Sequence, residues 1–136
     1  GDFYARAMYR YAQKELREWN PDLIVPVPVH RSKERMRGFN QAAYLAEKLS
    51  CYTGIMTDTN LVRKVIKTKS QKKLNALQRR KNLEKAFAVS EDVRGKDILV
   101  IDDVYTTGST IDAMAFCLKK KGAENVYFLT VCIGRT

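Results

Sequence analysis

The feature that most constrains the fold of this chain is an uninterrupted apolar run at residues 98–101, which ends in two acidic residues, Asp102 and Asp103. A strand with this pattern has no polar face, so it must be covered on both sides. A loop of small hydroxyl residues around Gly108 follows. An amphipathic helix comes next, and Gly122 is placed to end it. Strand, loop and helix in this order are typical of a parallel α/β sheet.

The rest of the chain fits the same architecture. Apolar residues recur at helical spacing from Ala5 to Trp19, and a second helix is marked by Phe39, Ala42, Ala46 and Leu49. Residues 23–25 form a buried strand, and the chain leaves the sheet where Pro26 and Pro28 remove two N–H donors. Further strands are predicted at 61–66, 97–103 and 126–133, and further helices at 74–86 and 110–121. We therefore expect one domain over residues 1–136, with a Rossmann-like, mainly parallel central sheet and helices on both faces.

Composition excludes several classes of protein. With 136 residues, 45% hydrophobic and 29% charged, the chain is globular rather than disordered. It contains no run of 18 apolar residues, so no membrane insertion is expected. Its three cysteines are odd in number and far apart, which indicates a reducing, cytoplasmic setting rather than a disulfide framework.

The net charge of +10 is concentrated in one segment. Residues 61–81 include nine Lys and Arg and no acidic residue. Such a segment repels itself and stays exposed until an anion binds. Charge alone does not decide between an anionic small molecule and nucleic acid.

The loop after residues 98–101 has the chemistry of a phosphate site. Ligands of parallel α/β sheets collect beyond the carboxyl ends of the strands, where helix N-termini attract anions. Gly108 lets the backbone approach a phosphate, and hydroxyl groups add donors. Asp102 and Asp103 are placed to accept hydrogen bonds from sugar hydroxyls. The pattern predicts a site for a ribose 5-phosphate group, with these phosphate-binding residues: Tyr105, Thr106, Thr107, Gly108, Ser109 and Thr110.

Other phosphate sites fit less well. An apolar strand that ends in two acids also matches a Walker B strand, but the chain has no GxxxxGK[ST] loop. It has no GxGxxG fingerprint for dinucleotides either. Paired acidic residues could also form a phospho-acceptor site, but this alternative does not explain the hydroxyl-rich loop that directly follows them.

Residues 100–110 resemble the phosphoribosyl pyrophosphate (PRPP) motif of type I phosphoribosyltransferases. Three further segments resemble the ComF family of competence-associated proteins: VPVPVH at 25–30 with RMRGFNQ at 35–41, then Gln71 with Arg79-Arg80 and Asn82, and finally the end of the chain at 130–135. The resemblance extends over essentially the whole chain and implies a type I phosphoribosyltransferase fold. ComF proteins usually have a cysteine-rich, zinc-binding segment upstream, for which this sequence has no counterpart.

The resemblance also implies an activity. A ComF-like phosphoribosyltransferase domain is expected to bind PRPP with Mg²⁺ and to transfer the phosphoribosyl group to an unidentified acceptor, or to hydrolyse it, in DNA uptake and competence. Asp102 and Asp103 are the expected catalytic residues and the candidate protein ligands of Mg²⁺, which is otherwise held through PRPP. The implied pyrophosphate-binding residues are His30, Arg31, Arg35 and Arg37, and the implied mobile loop includes Gln71, Arg79, Arg80 and Asn82.

A second hypothesis keeps the fold without catalysis. The domain would then be a PRPP sensor or a single-stranded DNA-binding component of the competence machinery, with the basic segment as its electrostatic footprint. Its expected partners are single-stranded DNA and a helicase-like ATPase, and a homodimer is a further expectation.

Overall fold

A computed structural model describes residues 2–28, 41–65, 75–102 and 108–130 of the chain. Four helices and six strands occur in these ranges. The helices are α1 (Asp2–Trp19), α2 (Gln41–Thr53), α3 (Ala76–Glu84) and α4 (Gly108–Lys120). The strands are β1 (Leu23–Pro26), β2 (Met56–Thr57), β3 (Val62–Lys64), β4 (Phe87–Val89), β5 (Asp97–Asp102) and β6 (Asn125–Thr130).

Four strands form a parallel sheet in the order β2-β1-β5-β6. The apolar strand β5 is central: Leu23 to Pro26 pair with Ile98 to Ile101 on one side, and Asn125 to Thr130 pair with Asp97 to Asp102 on the other. Asp22 fastens the start of this pairing, because its N–H donates to the Asp97 carbonyl (2.7 Å) and its carboxylate accepts from the Asp97 N–H (2.8 Å). The predicted parallel α/β sheet is confirmed.

The order of the strands creates a switch point between β1 and β5. From β1 the chain passes through α2 to β2 on one side, and from β5 it passes through α4 to β6 on the other. Right-handed crossovers in opposite directions place their helices on opposite faces of a sheet.

The two buried clusters show these two faces. Ile24, Leu99 and Ile101 pack with apolar residues of α1 and α2, whereas Val25 and Val100 pack with those of α4. Helices on both faces explain why residues 98–101 are all buried and uniformly apolar.

Pro26 remains within the sheet, one residue later than the sequence predicts for the end of this strand. The carbonyl of Ile24 faces β2, where it accepts from the Asp58 N–H (3.1 Å). Backbone groups two residues apart face the same side of a strand, so the missing N–H of Pro26 also faces β2, which has ended at Thr57. Val27 faces β5 and still donates to the Ile101 carbonyl (2.8 Å). The proline therefore costs the sheet no hydrogen bond on the β5 side.

A second sheet holds β3 and β4, which pair antiparallel through Val62 with Val89 and Lys64 with Phe87. Within the described residues, the strand predicted at 61–66 is shorter, and the helix predicted at 74–86 covers only Ala76–Glu84. The sequence prediction that residue 86 is helical is wrong, because Ala86 precedes β4 and its carbonyl accepts from the Val65 N–H (2.9 Å).

Two other boundaries differ from the sequence prediction. α4 begins at Gly108, two residues before the predicted start at 110, and β6 begins at Asn125 instead of 126. Gly122 ends α4 as predicted: its φ is 101°, and the N–H of Ala123 donates back to the Leu118 carbonyl (3.1 Å). No helix in the described ranges is both long and apolar enough to cross a membrane.

Candidate functional site

The carboxyl edge of the sheet, at the switch point between β1 and β5, has the position of a ligand crevice in an open α/β sheet. Asp102 ends β5 at this edge and is 6% exposed. It is the one charged or polar side chain that is buried among the described residues. Its strand is flanked on one side by Pro26 and Val27, at the end of β1, and on the other side by Thr130 of β6. A carboxylate is rarely buried in this way, and this one lies at the edge where the ligands of parallel α/β sheets collect.

The start of α4 lies beyond the same edge, because the chain leaves β5 at Asp102 and enters α4 at Gly108. The first N–H groups of a helix have no intrahelical acceptor, and the helix dipole adds partial positive charge there. No acidic residue occupies the first turn of α4, so the helix itself places no carboxylate against an anion at its start. Thr110 is half-buried in this turn. A carboxylate and an anion-attracting helix end therefore lie at one edge.

α3 packs beside α4 and bears part of the predicted mobile loop. Its start is capped by a reciprocal pair, in which the Gln78 N–H donates to Asn75 Oδ1 (2.8 Å) and the Asn75 N–H donates to Gln78 Oε1 (3.2 Å). Its end contacts α4 through Cys117, whose Sγ lies 3.4 Å from the Glu84 carbonyl oxygen. Arg79 and Arg80 belong to this helix, and Asn82 is half-buried on it. α3 is therefore held to the helix that follows the predicted phosphate-binding loop.

Burial raises the pKa of the Cys117 thiol, and Glu84 adds to this effect while Lys120 opposes it. The thiol is therefore protonated at neutral pH and takes part in packing.

The structure places five of the predicted site residues on its elements in addition to Asp102 and Thr110: Gly108 and Ser109 begin α4, and Arg79, Arg80 and Asn82 lie on α3. The remaining predicted site residues lie outside the described ranges: His30, Arg31, Arg35, Arg37, Gln71, Asp103, Tyr105, Thr106 and Thr107. Their assignments stay predictions.

Two further polar residues lie at the same edge and were not predicted from the sequence. Thr57 ends β2, and its hydroxyl donates to the Ile24 carbonyl (2.8 Å). Asp58 follows, half-buried, and its carboxylate accepts from the Asn60 N–H (2.9 Å). A strand of two residues has no periodicity to detect, so the sequence offered no signal for either position.

Another concavity lies away from this edge. A cleft of about 230 Å³ separates the last turns of α1 and α2, where Leu16, Arg17, Tyr52 and Thr53 line it. Both helices end at this level, next to the starts of β1 and β2, so the cleft is on the amino side of the sheet. In the described ranges, no three His, Cys, Asp or Glu side chains converge as a metal site.

The fold is similar to that of solved phosphoribosyltransferases. A purine phosphoribosyltransferase from Pyrococcus horikoshii aligns with a TM-score of 0.59 at 20% identity, over 92% of this chain and 68% of that chain. A hypoxanthine phosphoribosyltransferase from Staphylococcus aureus aligns with a TM-score of 0.60 at 11% identity, over 93% and 61%. At these identities the likeness confirms the fold alone.

Several curated proteins share a higher sequence identity with this chain than these solved structures do. Competence protein F of Haemophilus influenzae is 36% identical over 109 residues, and the DNA utilization protein YhgH of Escherichia coli K12 is 37% identical over 112. The alignments cover 78% and 82% of this chain, but the chain spans only about half the length of these relatives. Competence protein ComFC of Bacillus subtilis is 32% identical over 102 residues. These relatives bear out the resemblance to ComF proteins. Because the phosphoribosyl transferase domain model matches residues 3–136, the chain belongs to the phosphoribosyl transferase domain family.

Proposed function

We propose that this domain binds PRPP with Mg²⁺ at the carboxyl edge of the sheet and transfers its phosphoribosyl group in DNA uptake or utilisation. The buried Asp102 beside the start of α4 is the observation that supports this proposal most directly. A ribose 5-phosphate group needs a phosphate site and a hydroxyl acceptor a short distance apart, and this edge offers both. The names of the relatives, which refer to competence and DNA utilisation, support the cellular context.

Each part of the edge has a role in this proposal. The first turn of α4 and the hydroxyls of residues 106–110 bind the 5-phosphate. Asp102 and Asp103 accept hydrogen bonds from the ribose hydroxyls and orient the anomeric carbon. His30, Arg31, Arg35 and Arg37 bind pyrophosphate, to which arginine presents a bidentate, permanently charged donor set. Catalysis then rests on orientation and on charge stabilisation as pyrophosphate leaves.

In this proposal the basic stretch around residues 67–82 closes over the ligand and excludes water, which competes with the acceptor. The positive charge of this stretch supports the role, because bound pyrophosphate would attract the stretch, and without pyrophosphate the attraction is absent. The capped start of α3 gives the segment a fixed point at Asn75.

Mg²⁺ fits the donor set at this edge. Carboxylate oxygens are the ligands it prefers, and it usually binds through one or two carboxylates together with substrate phosphates. Asp102 and Asp103 would hold the ion, which would neutralise charge on the departing pyrophosphate.

Calorimetric titration with PRPP and Mg²⁺ tests the proposal, with ribose 5-phosphate as a partial ligand. The wild-type chain is expected to bind PRPP in a magnesium-dependent manner. The double variant Asp102→Asn, Asp103→Asn is expected to lose at least about tenfold in affinity, because charge-assisted hydrogen bonds to both hydroxyls are weakened.

Glu124→Gln is the matched control, since it removes one carboxylate at an exposed position directly before β6, on the amino side of the sheet. It should leave PRPP affinity unchanged. Equal PRPP binding by the wild-type chain and the double variant would refute the site. Binding without any release of pyrophosphate in the presence of candidate acceptors would favour a PRPP sensor over a transferase.

The basic segment supports a second candidate function, contact with single-stranded DNA. Nine cationic residues without an acidic one, at 61–81, neutralise phosphates without regard to sequence. Arg63 and Lys81, at the two ends of this segment, are both exposed. Affinity for an oligonucleotide should fall steeply with salt and should weaken when Lys69, Lys72 and Lys73 are replaced by Gln.

A further inference from the structure

The outward face of α1 presents exposed aromatic and cationic side chains. Two rows of exposed side chains run along it at intervals of four residues: an apolar row of Phe3, Ala7 and Tyr11, and a cationic row of Arg6, Arg10 and Lys14. Residues four apart form ridges on a helix, so these rows lie side by side. The opposite face of α1, which includes Ala5, Met8, Ala12 and Leu16, is buried against the sheet and α2.

Phe3 and Tyr11 are the most exposed aromatic side chains in the described ranges, at 71% and 87%. Eight residues separate them, which places their Cα atoms about 12 Å apart along the helix axis. The small Ala7 between them leaves both rings accessible. The Phe3 and Tyr4 rings form an edge-to-face pair, with centroids 5.4 Å apart and an interplanar angle of 82°, so the Phe3 ring has one aromatic neighbour that positions it.

The cationic row is unfavourable for the isolated helix. Like charges four residues apart repel each other, and Arg10 lies between two of them, Arg6 and Lys14. Acidic residues occur at this spacing only outside the ends of the row, at Asp2 and Glu18. Both rows end at carboxylates: Glu15 follows Tyr11 by four residues, and Glu18 follows Lys14. The patch is therefore confined to the first three turns of α1. A bound polyanion would relieve its repulsion.

The charge of this patch argues against a second copy of the chain as its partner. Two chains of net charge +10 would bring two cationic rows together. A fitting partner has negative charges at regular intervals and planar faces that stack on the rings. Unpaired nucleotides have both properties, whereas a duplex hides the faces of its bases.

We propose that the outward face of α1 binds single-stranded nucleic acid, with bases stacked on Phe3 and Tyr11 and phosphates paired with Arg6, Arg10 and Lys14. The inference rests on the second candidate function, that the chain binds single-stranded DNA, and it adds the stacking surface for this binding.

Fluorescence anisotropy with labelled dT12, over a range of salt concentrations, tests the proposal on the full chain. The variant Phe3→Ala, Tyr11→Ala should lose at least about tenfold in affinity, since stacking on an aromatic side chain is worth that much per base. Phe3→Tyr, Tyr11→Phe should bind like wild type, because the rings remain. Arg10→Gln, Lys14→Gln should lower the slope of log affinity against log salt by about 1.4, or about 0.7 for each lost phosphate contact.

Two control variants make the test specific to α1. Lys120→Gln, Lys121→Gln removes the same charge from exposed positions at the far end of α4, and Phe116→Ala removes another exposed ring. Both should retain dT12 affinity. A 12-base-pair duplex should bind more weakly than dT12, and this preference should vanish in the Phe3→Ala, Tyr11→Ala variant.

Three results would overturn the proposal. The first is a Phe3→Ala, Tyr11→Ala variant that binds dT12 with the affinity of the wild-type chain. If replacement of Lys69, Lys72 and Lys73 weakens this binding, the chain still binds DNA and only the assignment to α1 is wrong. The second is failure of the wild-type chain to bind dT12 at low salt, which refutes the second candidate function as well. The third is a wild-type dimer in sedimentation that the Phe3→Ala, Tyr11→Ala variant dissociates, because the rings would then form an interface between copies.

Discussion

The backbone N–H of Val27 donates to the carbonyl oxygen of Ile101 at 2.8 Å, one residue before Asp102. This is the last hydrogen bond between β1 and β5 in the described residues. Along the chain β1 is followed by α2 and β2 on one side of this pair, and β5 is followed by α4 and β6 on the other. Asp102 therefore lies at the switch point of the sheet, directly after paired backbone. This pairing fixes the backbone position of a buried carboxylate at the carboxyl edge.

Replacing Leu99 with Ala should destabilise the fold strongly. Leu99 is fully buried in the middle of β5, where it faces the cluster of α1 and α2. The lost contacts and the cavity should lower the free energy of unfolding by about 2–5 kcal/mol in urea denaturation. Met56→Ala is the control: it shortens a side chain that is 73% exposed and should change this free energy by less than about 0.5 kcal/mol. Equal effects would contradict the described core.

Gly122→Ala should cost more stability than Gly54→Ala. Both glycines have positive φ, 101° and 77°, so each substitution bears backbone strain of about 1–2 kcal/mol. A Cβ at Gly122 would also lie 2.8 Å from the Cα of Arg94, whereas a Cβ at Gly54 meets nothing within 4 Å. The Arg94 contact is with backbone, so neither segment yields without distorting the start of β5 or β6. Thermal denaturation of the two variants measures the difference, and a larger loss for Gly54→Ala would contradict this packing.

Asn75→Ala should loosen the start of α3 without unfolding the domain. The substitution removes the side-chain acceptor of the Gln78 N–H, a capping interaction worth about 0.5–2 kcal/mol. Amide exchange in the first turn of α3 should therefore accelerate by a factor between about 2 and 30. Asn60→Ala, a change in the turn between β2 and β3, should leave this exchange unchanged. Unaltered protection at Gln78 in the Asn75→Ala variant would show that the cap does not hold the helix.

Cys117 should be far less reactive than Cys51. Cys51 is exposed, whereas Cys117 is buried and its pKa is raised, mainly by desolvation. In a Cys132→Ser background, a thiol reagent at pH 8 should modify Cys51 quickly and Cys117 only as the domain unfolds. Modification of Cys117 at the rate of Cys51 would contradict its burial.

The same shift in pKa makes the contribution of Cys117 to stability depend on pH. The native thiol keeps its proton to higher pH than the unfolded thiol does, so the native state binds more protons above about pH 8.5. This contribution is fully present below that pH and decreases as pH rises through the raised pKa. Cys117→Ala should flatten the decline of stability between pH 8 and 10, and an unchanged profile would exclude the thiol as its source.

The sequence was sufficient for features that depend on neighbouring residues. The apolar run at 98–101 predicted a strand covered on both faces, because burial on two sides removes any need for polar alternation. The helical spacing from Ala5 to Trp19 predicted α1, and Gly122 predicted the end of α4. The motif around Asp102 and Gly108 pointed to one end of one strand and the start of one helix, and both elements are present there.

Strand pairing, the end of β1 and the burial of single side chains depend on residues far apart in the sequence, so only the tertiary structure shows them. No local pattern states that β5 pairs with β1 and β6, or that β2 and β4, with two and three residues, become strands only by pairing. The sequence predicts that the chain leaves the sheet at Pro26, yet Pro26 stays in the sheet because its missing donor faces the side where β2 stops. The burial of Asp102 and the exposure of Phe3 and Tyr11 likewise depend on what packs against them. Sequence periodicity indicates which side chains are apolar and lie on one face of an element. Strand order and helix placement determine which of these side chains are buried.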